Sequence, residues 1–369
     1  MREIWIVSNV PPPVHGVSAF NAVLRDQLRN RGVTSRIFRV GTRGALTELE
    51  RMNARKLVCD AGTLARLALA EVRRKAPDHM IYFTPSQGGT AVLRDAMVAR
   101  IARVSGTPLV GHIHGCAWLH NWERGGWRGK AMLDALRGCA RIICLGTTYA
   151  QRMATATGLP CVGVNNGVIA PVDEPVTAVW RPGERIELLY LSSLSKSKGL
   201  WIAARALREL RGRGLPARLR CAGLWGRERE RIEFQRDFGC ELADGTIELV
   251  GFADRELKQR LFREARFFVL PTEHHKEGQP LSLIEAMASG VLPVTTRQGA
   301  ITDLFEFEGW EELARPEHRD PIAVAATIES FARDQERYQR ASGRCIARHR
   351  QALAIDRCVD NVLRILIEA

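Results

Sequence analysis

The sequence predicts an α/β fold in which two domains are each built on a parallel β-sheet covered by helices on both faces. The chain has 369 residues, which is more than a single domain usually holds. Short apolar runs alternate with amphipathic helical stretches along most of its length. A proline-rich stretch at residues 168–185 interrupts this alternation near the middle of the chain. These three observations favour two doubly wound, Rossmann-like domains.

The order of the predicted elements supports this fold in both halves. In the first half the predicted strands are Glu3–Val10, His79–Phe83, Pro108–His114 and Arg141–Leu145, and the predicted helices are Val17–Arg31, Thr63–Lys75 and Ala91–Val104. In the second half the predicted strands are Ile186–Ser192, Ala217–Ala222, Ile247–Val250, Phe267–Pro271 and Leu292–Thr295, and the predicted helices are Leu200–Arg213, Asp254–Glu264 and Pro280–Ser289. Alternation of this kind implies parallel strands, because such strands need a crossover connection.

The domain boundaries follow from the proline-rich stretch. We predict a first domain at residues 1–170, a linker at 171–185 and a second domain at 186–350. A C-terminal helix at 351–369 is a candidate to pack back on the first domain. In sheets of this type ligands bind at the carboxyl ends of the strands, so we expect the site in the cleft between the two domains.

The positive charge of the chain lies entirely in its first half. Residues 1–170 hold 23 Lys and Arg against 10 Asp and Glu, a net charge of +13, whereas residues 171–369 hold 31 of each. A solvated, soluble surface explains this excess, and so does attraction to an anionic membrane surface or a phosphate-bearing acceptor. Nucleic acid is disfavoured as a partner, because no recognition motif is present and aromatic residues do not alternate with the arginines.

Several patterns point to a soluble cytoplasmic protein. The nine cysteines are scattered, with no Cys-x-x-Cys pair and no His/Cys cluster at metal-ligand spacing, which favours reduced thiols over disulfides or zinc. The N-terminal sequence MREIWIVSNVPPP has too short an apolar run for a signal peptide. No run approaches the roughly 18 apolar residues of a membrane-spanning helix.

The stretch EGQPLSLIEAMASG, residues 277–290, predicts a loop, a helix and a helix stop. Pro280 suits the first helical position and Gly290 suits the stop. The free amides near Leu281 and Ser282 would form a positive pole that favours a phosphate. Glu277 in the preceding loop could accept hydrogen bonds from sugar hydroxyls, and Glu285 in the helix could accept hydrogen bonds from ribose hydroxyls. From spacing alone, an ordinary loop charge and an ordinary helix-surface charge are the favoured explanation, because two glutamates eight positions apart are common.

The same region resembles a known family. The segment ARFFVLPTEHHKEGQPLSLIEAMASGVLPVTT, residues 265–296, is similar to the E-x7-E signature region of the family 4 retaining glycosyltransferases, which have the GT-B fold. Weaker similarities follow in the family's order along most of the chain, in PPPVHGVSAF, HIHG, VNNGV, LSSLSKSKG and VGF. The resemblance implies two Rossmann-like domains facing a central cleft and a nucleotide diphosphate sugar as co-substrate.

The resemblance assigns roles in the second half residue by residue. Glu277 would contact the donor sugar, Glu285 the ribose, and Lys198 the diphosphate as the leaving-group cation. Ser193 stands at the donor-binding position where the family usually has an Arg, and Arg297 and His274 are candidates to replace that cation. The remaining donor-binding positions are Gln279, Leu281 and Ser282, through their backbone amides, and Asn166 with Gly167 near the nucleotide. Asp303 aligns with a family Glu near the donor pocket.

The first half contributes fewer candidate residues. Gly16 would let its loop approach the diphosphate, although an ordinary turn explains it as well. His114 resembles the family histidine that faces the donor sugar. His112 is the rival, because alternation along a strand places both histidines on one face. The residues after them either stack on an acceptor sugar or pack inside the domain: Trp118, His120, Trp122 and Trp127.

Together with the resemblance, these observations predict a cytoplasmic, retaining, hexosyltransferase-like glycosyltransferase. Peripheral attachment to the inner face of the membrane is a further expectation. The enzyme would use a UDP- or GDP-linked sugar and a glycan or lipid-linked acceptor in cell-surface polysaccharide biosynthesis. No Asp-x-Asp motif is present, so we expect neither an obligatory metal nor a resident cofactor. A sugar-nucleotide epimerase on the same fold and a non-catalytic nucleotide-sugar-binding protein remain the alternatives.

Overall fold

A computed structural model describes residues 3–12, 16–41, 54–74, 79–175, 183–275 and 277–369. The chain divides into two compact units, Met1–Asn165 with Asp356–Ala369, and Asn166–Ile355. Residues 176–182 of the predicted linker, Lys276 of the motif region, and Lys75 at the end of a predicted helix lie outside the described residues. No helix in the described ranges is both long and apolar enough to cross a membrane.

The first unit is a six-stranded parallel sheet with the strand order β2-β1-β3-β4-β5-β6. Its central strands form because their side chains are buried on both faces, as in the fully buried β3 and β4. The elements are β1 Glu3–Ser8, α1 Gly16–Asn30, β2 Ser35–Arg39, α2 Ala54–Arg73, β3 His79–Phe83, α3 Ala91–Ser105, β4 Leu109–Ile113, α4 Ala117–Glu123, α5 Gly126–Arg137, β5 Arg141–Leu145, α6 Thr147–Thr157 and β6 Cys161–Val164.

The second unit is a five-stranded parallel sheet with the strand order β11-β10-β7-β8-β9. The elements are β7 Ile186–Leu191, α7 Leu200–Gly212, β8 Ala217–Ala222, α8 Glu228–Asp237, α9 Gly239–Ala243, β9 Ile247–Gly251, α10 Arg255–Glu264, β10 Phe267–Leu270, α11 Leu281–Ser289, β11 Leu292–Thr295, α12 Pro321–Ala332 and α13 Gln335–Arg348. Strands β7 and β10 are parallel neighbours, so the loops that follow their carboxyl ends lie next to each other. Parallel sheets in both units confirm the predicted α/β class.

The last helix, α14 Ile355–Glu368, returns the chain to the first unit. Its apolar side buries Val359, Val362 and Leu366. On its polar side, Asp356 accepts a hydrogen bond from Gln27 Nε2 of α1 at 3.0 Å, and Asp360 pairs with Arg31.

Observed strands agree with the predicted ones to within two residues at each end, but other predictions differ. Strands β2 and β6 were not predicted, and both lie at the edges of the first sheet. Their side chains are only partly buried, so neither gives a continuous apolar run. Helix α2 begins at Ala54, well before the predicted start at Thr63.

A buried histidine ties the end of β11 to α12 in the second unit. His318 is fully buried in a 3₁₀ turn, Pro316–Arg319. One ring nitrogen, Nδ1, donates to the Thr295 carbonyl at 2.8 Å, and the other, Nε2, accepts from the Thr327 hydroxyl at 2.9 Å. The neutral ring satisfies both partners, and burial lowers the pKa of His318 from 6.5 to about 4.

We expect His318 to make the second unit less stable as the pH falls from 6.5 towards 4. In this window the unfolded chain binds a proton at His318 that the folded chain does not, whereas above it both states are neutral. Each unit between the two pKa values corresponds to about 1.4 kcal/mol of unfolding free energy. Urea unfolding at several pH values should show that His318→Gln is less stable near neutral pH but loses less stability on acidification. The exposed His275→Gln is the control, and an unchanged pH slope in His318→Gln would contradict the assignment.

Candidate active site

A lysine–glutamate pair lies where the loops after β7 and β10 meet. Lys198 Nζ donates to Glu277 Oε1 at 2.9 Å and to Oε2 at 2.7 Å. The Thr272 hydroxyl adds a third bond, to Glu277 Oε2 at 2.8 Å. The Glu277 side chain is only 7% exposed, and a carboxylate buried to this degree needs such partners. An ammonium group has three N–H donors, so Lys198 keeps one for a further acceptor.

Backbone contacts fix the two loops against each other. Gly199 has φ +81°, and a Cβ added there would lie 2.2 Å from the Pro271 carbonyl oxygen. Only glycine therefore permits this approach of the Lys198 turn to the loop after β10. The Glu273 amide donates to the Ser197 carbonyl at 2.9 Å, and the Glu277 amide closes its own loop on the His274 carbonyl at 2.9 Å. The positions of both charged side chains follow from these contacts.

The start of α11 supplies the positive pole that the sequence predicted, shifted by one residue. The prediction of Pro280 as the first helical residue is wrong: Pro280 is the N-cap, with φ −60° and ψ 125°, and the helix begins at Leu281. An extended ψ is what lets the chain turn from the loop into the helix here. The amides of Leu281 and Ser282 fall in the first turn, where no intrahelical acceptor exists, and both residues are only half-buried.

Gln279 and Asn166 hold each other next to this helix start. The Asn166 amide donates to Gln279 Oε1 at 2.7 Å, and Asn166 Nδ2 donates to the Gln279 carbonyl at 3.0 Å. Gln279 Nε2 donates in turn to the Ala300 carbonyl at 3.3 Å. The structure thus brings together two residues predicted for donor binding, and it uses the Gln279 side chain to brace the loop.

Glu285 lies on α11, where one carboxylate oxygen is hydrogen-bonded and the other has no partner among the described residues. Its Oε1 accepts from Lys258 Nζ of α10 at 2.8 Å, and its side chain is 14% exposed. Among the described residues, its buried Oε2 has no hydrogen-bond partner. A buried carboxylate oxygen without a partner is unfavourable, so Oε2 is an acceptor available to a ligand hydroxyl.

Two residues of this site were not found from the sequence. Thr272 directly follows the predicted strand end in the segment LPTEHHKEG, and a polar residue at the carboxyl end of a strand was the one sign that it belongs to the site. Lys258 lies within a predicted helix, but no motif marks it, and its partner Glu285 is 27 positions away in the chain. Neither residue could be paired with its glutamate without the fold.

The candidates for the missing family cation have other contacts. Ser193 is exposed, and its carbonyl accepts the Tyr190 hydroxyl at 2.9 Å. Arg297 Nε donates to the Ala314 carbonyl at 2.9 Å, and its guanidinium lies 4.9 Å from the centre of the Trp310 ring. The His274 amide donates to Thr272 Oγ1 at 3.2 Å. Asp303 is buried in a 3₁₀ turn, Thr302–Leu304. Among the described residues, the Arg297 guanidinium is thus held by Ala314 and Trp310, and the role of His274 as a replacement cation stays a prediction.

In the first unit, His114 follows the carboxyl end of β4. Its ring stacks on that of His112 with centres 3.8 Å apart, so the two histidines do share a face. His112 is 1% exposed, and its Nδ1 is 2.7 Å from the Tyr82 hydroxyl. Burial, and then the neighbouring His114, lower the pKa of His112 well below its ordinary value. His112 is thus a neutral core residue, and the half-buried His114 is the better candidate for ligand contact.

The other first-unit candidates lie on α1 and on the two helices that follow β4. Gly16 is the first residue of α1, and Phe20 of that helix lies 5.0 Å from the His114 ring, measured between ring centres. Trp118 is fully buried and stacks on Trp122, which assigns this pair to packing. Trp127 is 53% exposed. Among the residues that the structure describes, no group of three or more His, Cys, Asp or Glu could hold a metal ion.

The second unit matches a known protein family. Residues 185–334 match the family described as glycosyl transferases group 1. The chain is 32% identical over 162 residues to the putative colanic acid biosynthesis glycosyltransferase WcaL of Salmonella typhimurium, covering 42% of this chain and 38% of that protein. It is 31% identical over 135 residues to the amylovoran biosynthesis glycosyltransferase AmsK of Erwinia amylovora, covering 34% and 31%. The matches thus span less than half the length of these curated relatives.

Solved structures share the fold. HepE of Anabaena, crystallised with UDP and glucose, superposes with a TM-score of 0.70 and 15% identity over 100% of both chains. Sucrose-phosphate synthase of Thermosynechococcus elongatus gives a TM-score of 0.74 and 15% identity over 100% of this chain and 99% of that one. At such identities the likeness shows the fold. These findings agree with the resemblance seen in the sequence: the chain has the GT-B fold, and its residues 185–334 match the family described as glycosyl transferases group 1.

Proposed function

We propose that this protein is a retaining, metal-independent glycosyltransferase that transfers a sugar from a UDP- or GDP-linked donor. The observation that carries the proposal is the grouping, in one unit, of the Lys198–Glu277 pair, the start of α11 and the open oxygen of Glu285. A nucleotide diphosphate sugar needs a cation and amides for its phosphates, and carboxylates for its sugar and ribose hydroxyls. The relatives named for colanic acid and amylovoran biosynthesis support an acceptor in surface polysaccharide assembly.

Lys198 and the α11 amides stabilise the departing diphosphate in this proposal. The acceptor hydroxyl oxygen forms a bond to the anomeric carbon as the bond from that carbon to the phosphate oxygen breaks. The electron pair of the broken bond remains on the diphosphate, which also takes the hydroxyl proton if attack and departure occur on one face of the sugar. The third N–H of Lys198 and the positive pole of α11 meet the charge that develops there.

The two glutamates hold the ends of the donor. Glu277 already accepts three hydrogen bonds from Lys198 and Thr272, and its two oxygens can accept further bonds from sugar hydroxyls. Glu285 offers Oε2 to a ribose hydroxyl while Lys258 keeps the carboxylate charge balanced. From the first unit, we assign His114 to the sugar and Gly16 to the diphosphate on the resemblance alone.

We further propose a cytoplasmic protein that acts on a glycan or lipid-linked acceptor, with peripheral attachment to an anionic membrane surface. The support is the concentration of the net charge of +13 in residues 1–170. Juxtaposed basic residues each gain about 1 kcal/mol at such a surface.

A non-catalytic nucleotide-sugar-binding protein is the second candidate, because Ser193 replaces one of the two cations expected at the diphosphate. A thermal-shift screen with UDP, GDP and their sugars identifies the donor, since a ligand at 100 times its Kd stabilises by about 2.7 kcal/mol. The donor, labelled in its sugar, is then incubated with and without a membrane extract of a polysaccharide-producing bacterium. Label in the extract supports the transferase, binding without turnover supports the second candidate, and donor epimerisation without acceptor supports an epimerase.

We expect Lys198→Ala to reduce turnover more than donor affinity. Removing a charge that stabilises the leaving group should lower kcat by about 10²–10³-fold. Lys196→Ala is the matched control, because Lys196 lies in the same turn but is exposed and pairs with Glu233. Steady-state kinetics and donor titration separate the two effects. A Lys198→Ala enzyme as active as the parent would remove Lys198 from the mechanism.

We expect Glu285→Ala to weaken binding of the nucleotide diphosphate itself. Loss of a charged hydrogen bond to the ribose should raise the Kd by roughly tenfold or more, at about 1.5–3 kcal/mol per bond. Glu256→Ala, which removes an exposed carboxylate from α10, should bind as the parent does. Isothermal titration with the nucleotide and with the free base distinguishes the loss of ribose contact from general damage. Unchanged nucleotide affinity in Glu285→Ala would disprove the ribose assignment.

A further inference from the structure

Exposed apolar side chains of the first unit collect on two neighbouring helices. Val58, Leu69 and Val72 of α2 are 71%, 47% and 82% exposed, and Leu93, Met97 and Val104 of α3 are 52%, 46% and 81% exposed. We call these six residues the α2–α3 face. A single exposed aliphatic residue is ordinary, but a contiguous group marks an interaction site.

Helical spacing places these residues at the outermost part of each helix. On α2, positions 58, 65, 69 and 72 form one stripe, opposite the buried Thr63, Leu67 and Ala70. On α3, positions 93, 97 and 104 do the same, opposite the buried Val98 and Ala102. The side of a surface helix that points away from the core is normally polar, so both helices depart from the usual pattern in the same way.

The two helices lie side by side, so the stripes belong to one surface. Arg94 of α3 reaches Asp60 of α2 with a separation of 3.6 Å between Nη1 and Oδ2. Both side chains are largely buried, with exposures of 10% and 12%. This pair joins the helices beneath the α2–α3 face.

The charges of the two helices are sorted by sign. Their acids are turned inwards: Asp60 accepts from the Gly41 amide, Glu71 pairs with His79, and Asp95 accepts from Ser86 and Arg94. Among the described side chains of α2 and α3, every exposed charged residue is an arginine, namely Arg66, Arg73, Arg100 and Arg103. The surface therefore offers aliphatic groups and positive charge, and no exposed negative charge within those helices.

We infer that the α2–α3 face docks on an anionic lipid bilayer. Aliphatic side chains on a helix lying in the interface enter the boundary between headgroups and acyl chains, while flanking arginines meet lipid phosphates. A protein partner is less well matched, because α2 and α3 contain no aromatic residue and binding hot spots at protein interfaces are rich in Trp and Tyr. The inference rests on the proposed function, since it places the enzyme where a lipid-linked acceptor lies.

The test is co-sedimentation with vesicles of phosphatidylcholine alone and of phosphatidylcholine with about 30% phosphatidylglycerol. Two variants address the two parts of the surface: Leu69→Gln/Val72→Gln/Met97→Gln/Val104→Gln, and Arg66→Gln/Arg73→Gln/Arg100→Gln/Arg103→Gln. The matched control changes exposed residues of the second unit, Ile232→Gln/Ile322→Gln/Arg255→Gln/Arg260→Gln. Thermal unfolding and nucleotide titration of every variant show that the fold and the donor site are intact.

The parent and the control should bind anionic vesicles alike and more strongly than neutral ones. Each α2–α3 variant should reduce the partition coefficient at least tenfold, and high salt should weaken the parent in the same direction. Absence of parent binding to anionic vesicles, or binding that neither variant weakens, overturns the inference. A variant-dependent change of oligomeric state in light scattering, without a change in vesicle binding, also overturns it by assigning the face to a second copy of the chain. Failure of the proposed function is seen separately, as absence of nucleotide binding or turnover.

Discussion

The ion pair between Lys198 and Glu277 is the interaction on which the rest of the site depends. It joins the turn after β7 to the loop after β10, two strands that are neighbours in the second sheet. A buried carboxylate is tolerated only with partners, and Lys198 and Thr272 supply them. Because this loop leads directly into α11, the pair also sets where the amides of Leu281 and Ser282 and the carboxylate of Glu285 are found. A single electrostatic contact thereby organises a cation, a helix pole and two acids around one region.

The arrangement is suited to an anionic ligand that is long rather than compact. Positive charge comes from Lys198 and the start of α11, and along the chain Glu277 precedes this helix start and Glu285 follows it. The two carboxylates would repel a simple polyanion, but they can accept hydrogen bonds from the hydroxyl groups at the two ends of a nucleotide diphosphate sugar. Glu277 partly neutralises the charge of Lys198 before a ligand binds, which weakens the attraction for free phosphate. A whole donor also offers sugar hydroxyls to Glu277, so we expect the pair to favour the donor over free phosphate.

Much of this structure could be predicted from the sequence, and the exceptions have physical causes. Strands such as β3 and β10 are buried on both faces and give continuous apolar runs, whereas the edge strands β2 and β6 are partly exposed and give none. The two glutamates were found from their spacing around a helix start together with the family resemblance, and Lys198 was found from the resemblance alone. Thr272 and Lys258 act through partners that only the fold brings near. The alternation of side chains along a strand predicted that His112 and His114 share a face, and their rings do stack. Alternation does not predict that His112 is buried, which is what leaves His114 as the candidate for ligand contact.

A crystal structure with a bound UDP- or GDP-linked sugar would test whether the Lys198–Glu277 pair and the start of α11 hold the donor. We expect the diphosphate within hydrogen-bond distance of Lys198 Nζ and of the Leu281 and Ser282 amides, with a ribose hydroxyl on Glu285 Oε2 and sugar hydroxyls on Glu277. A donor bound elsewhere, with Lys198 contacting only Glu277 and the Glu285 oxygen still without a ligand hydroxyl, would contradict it.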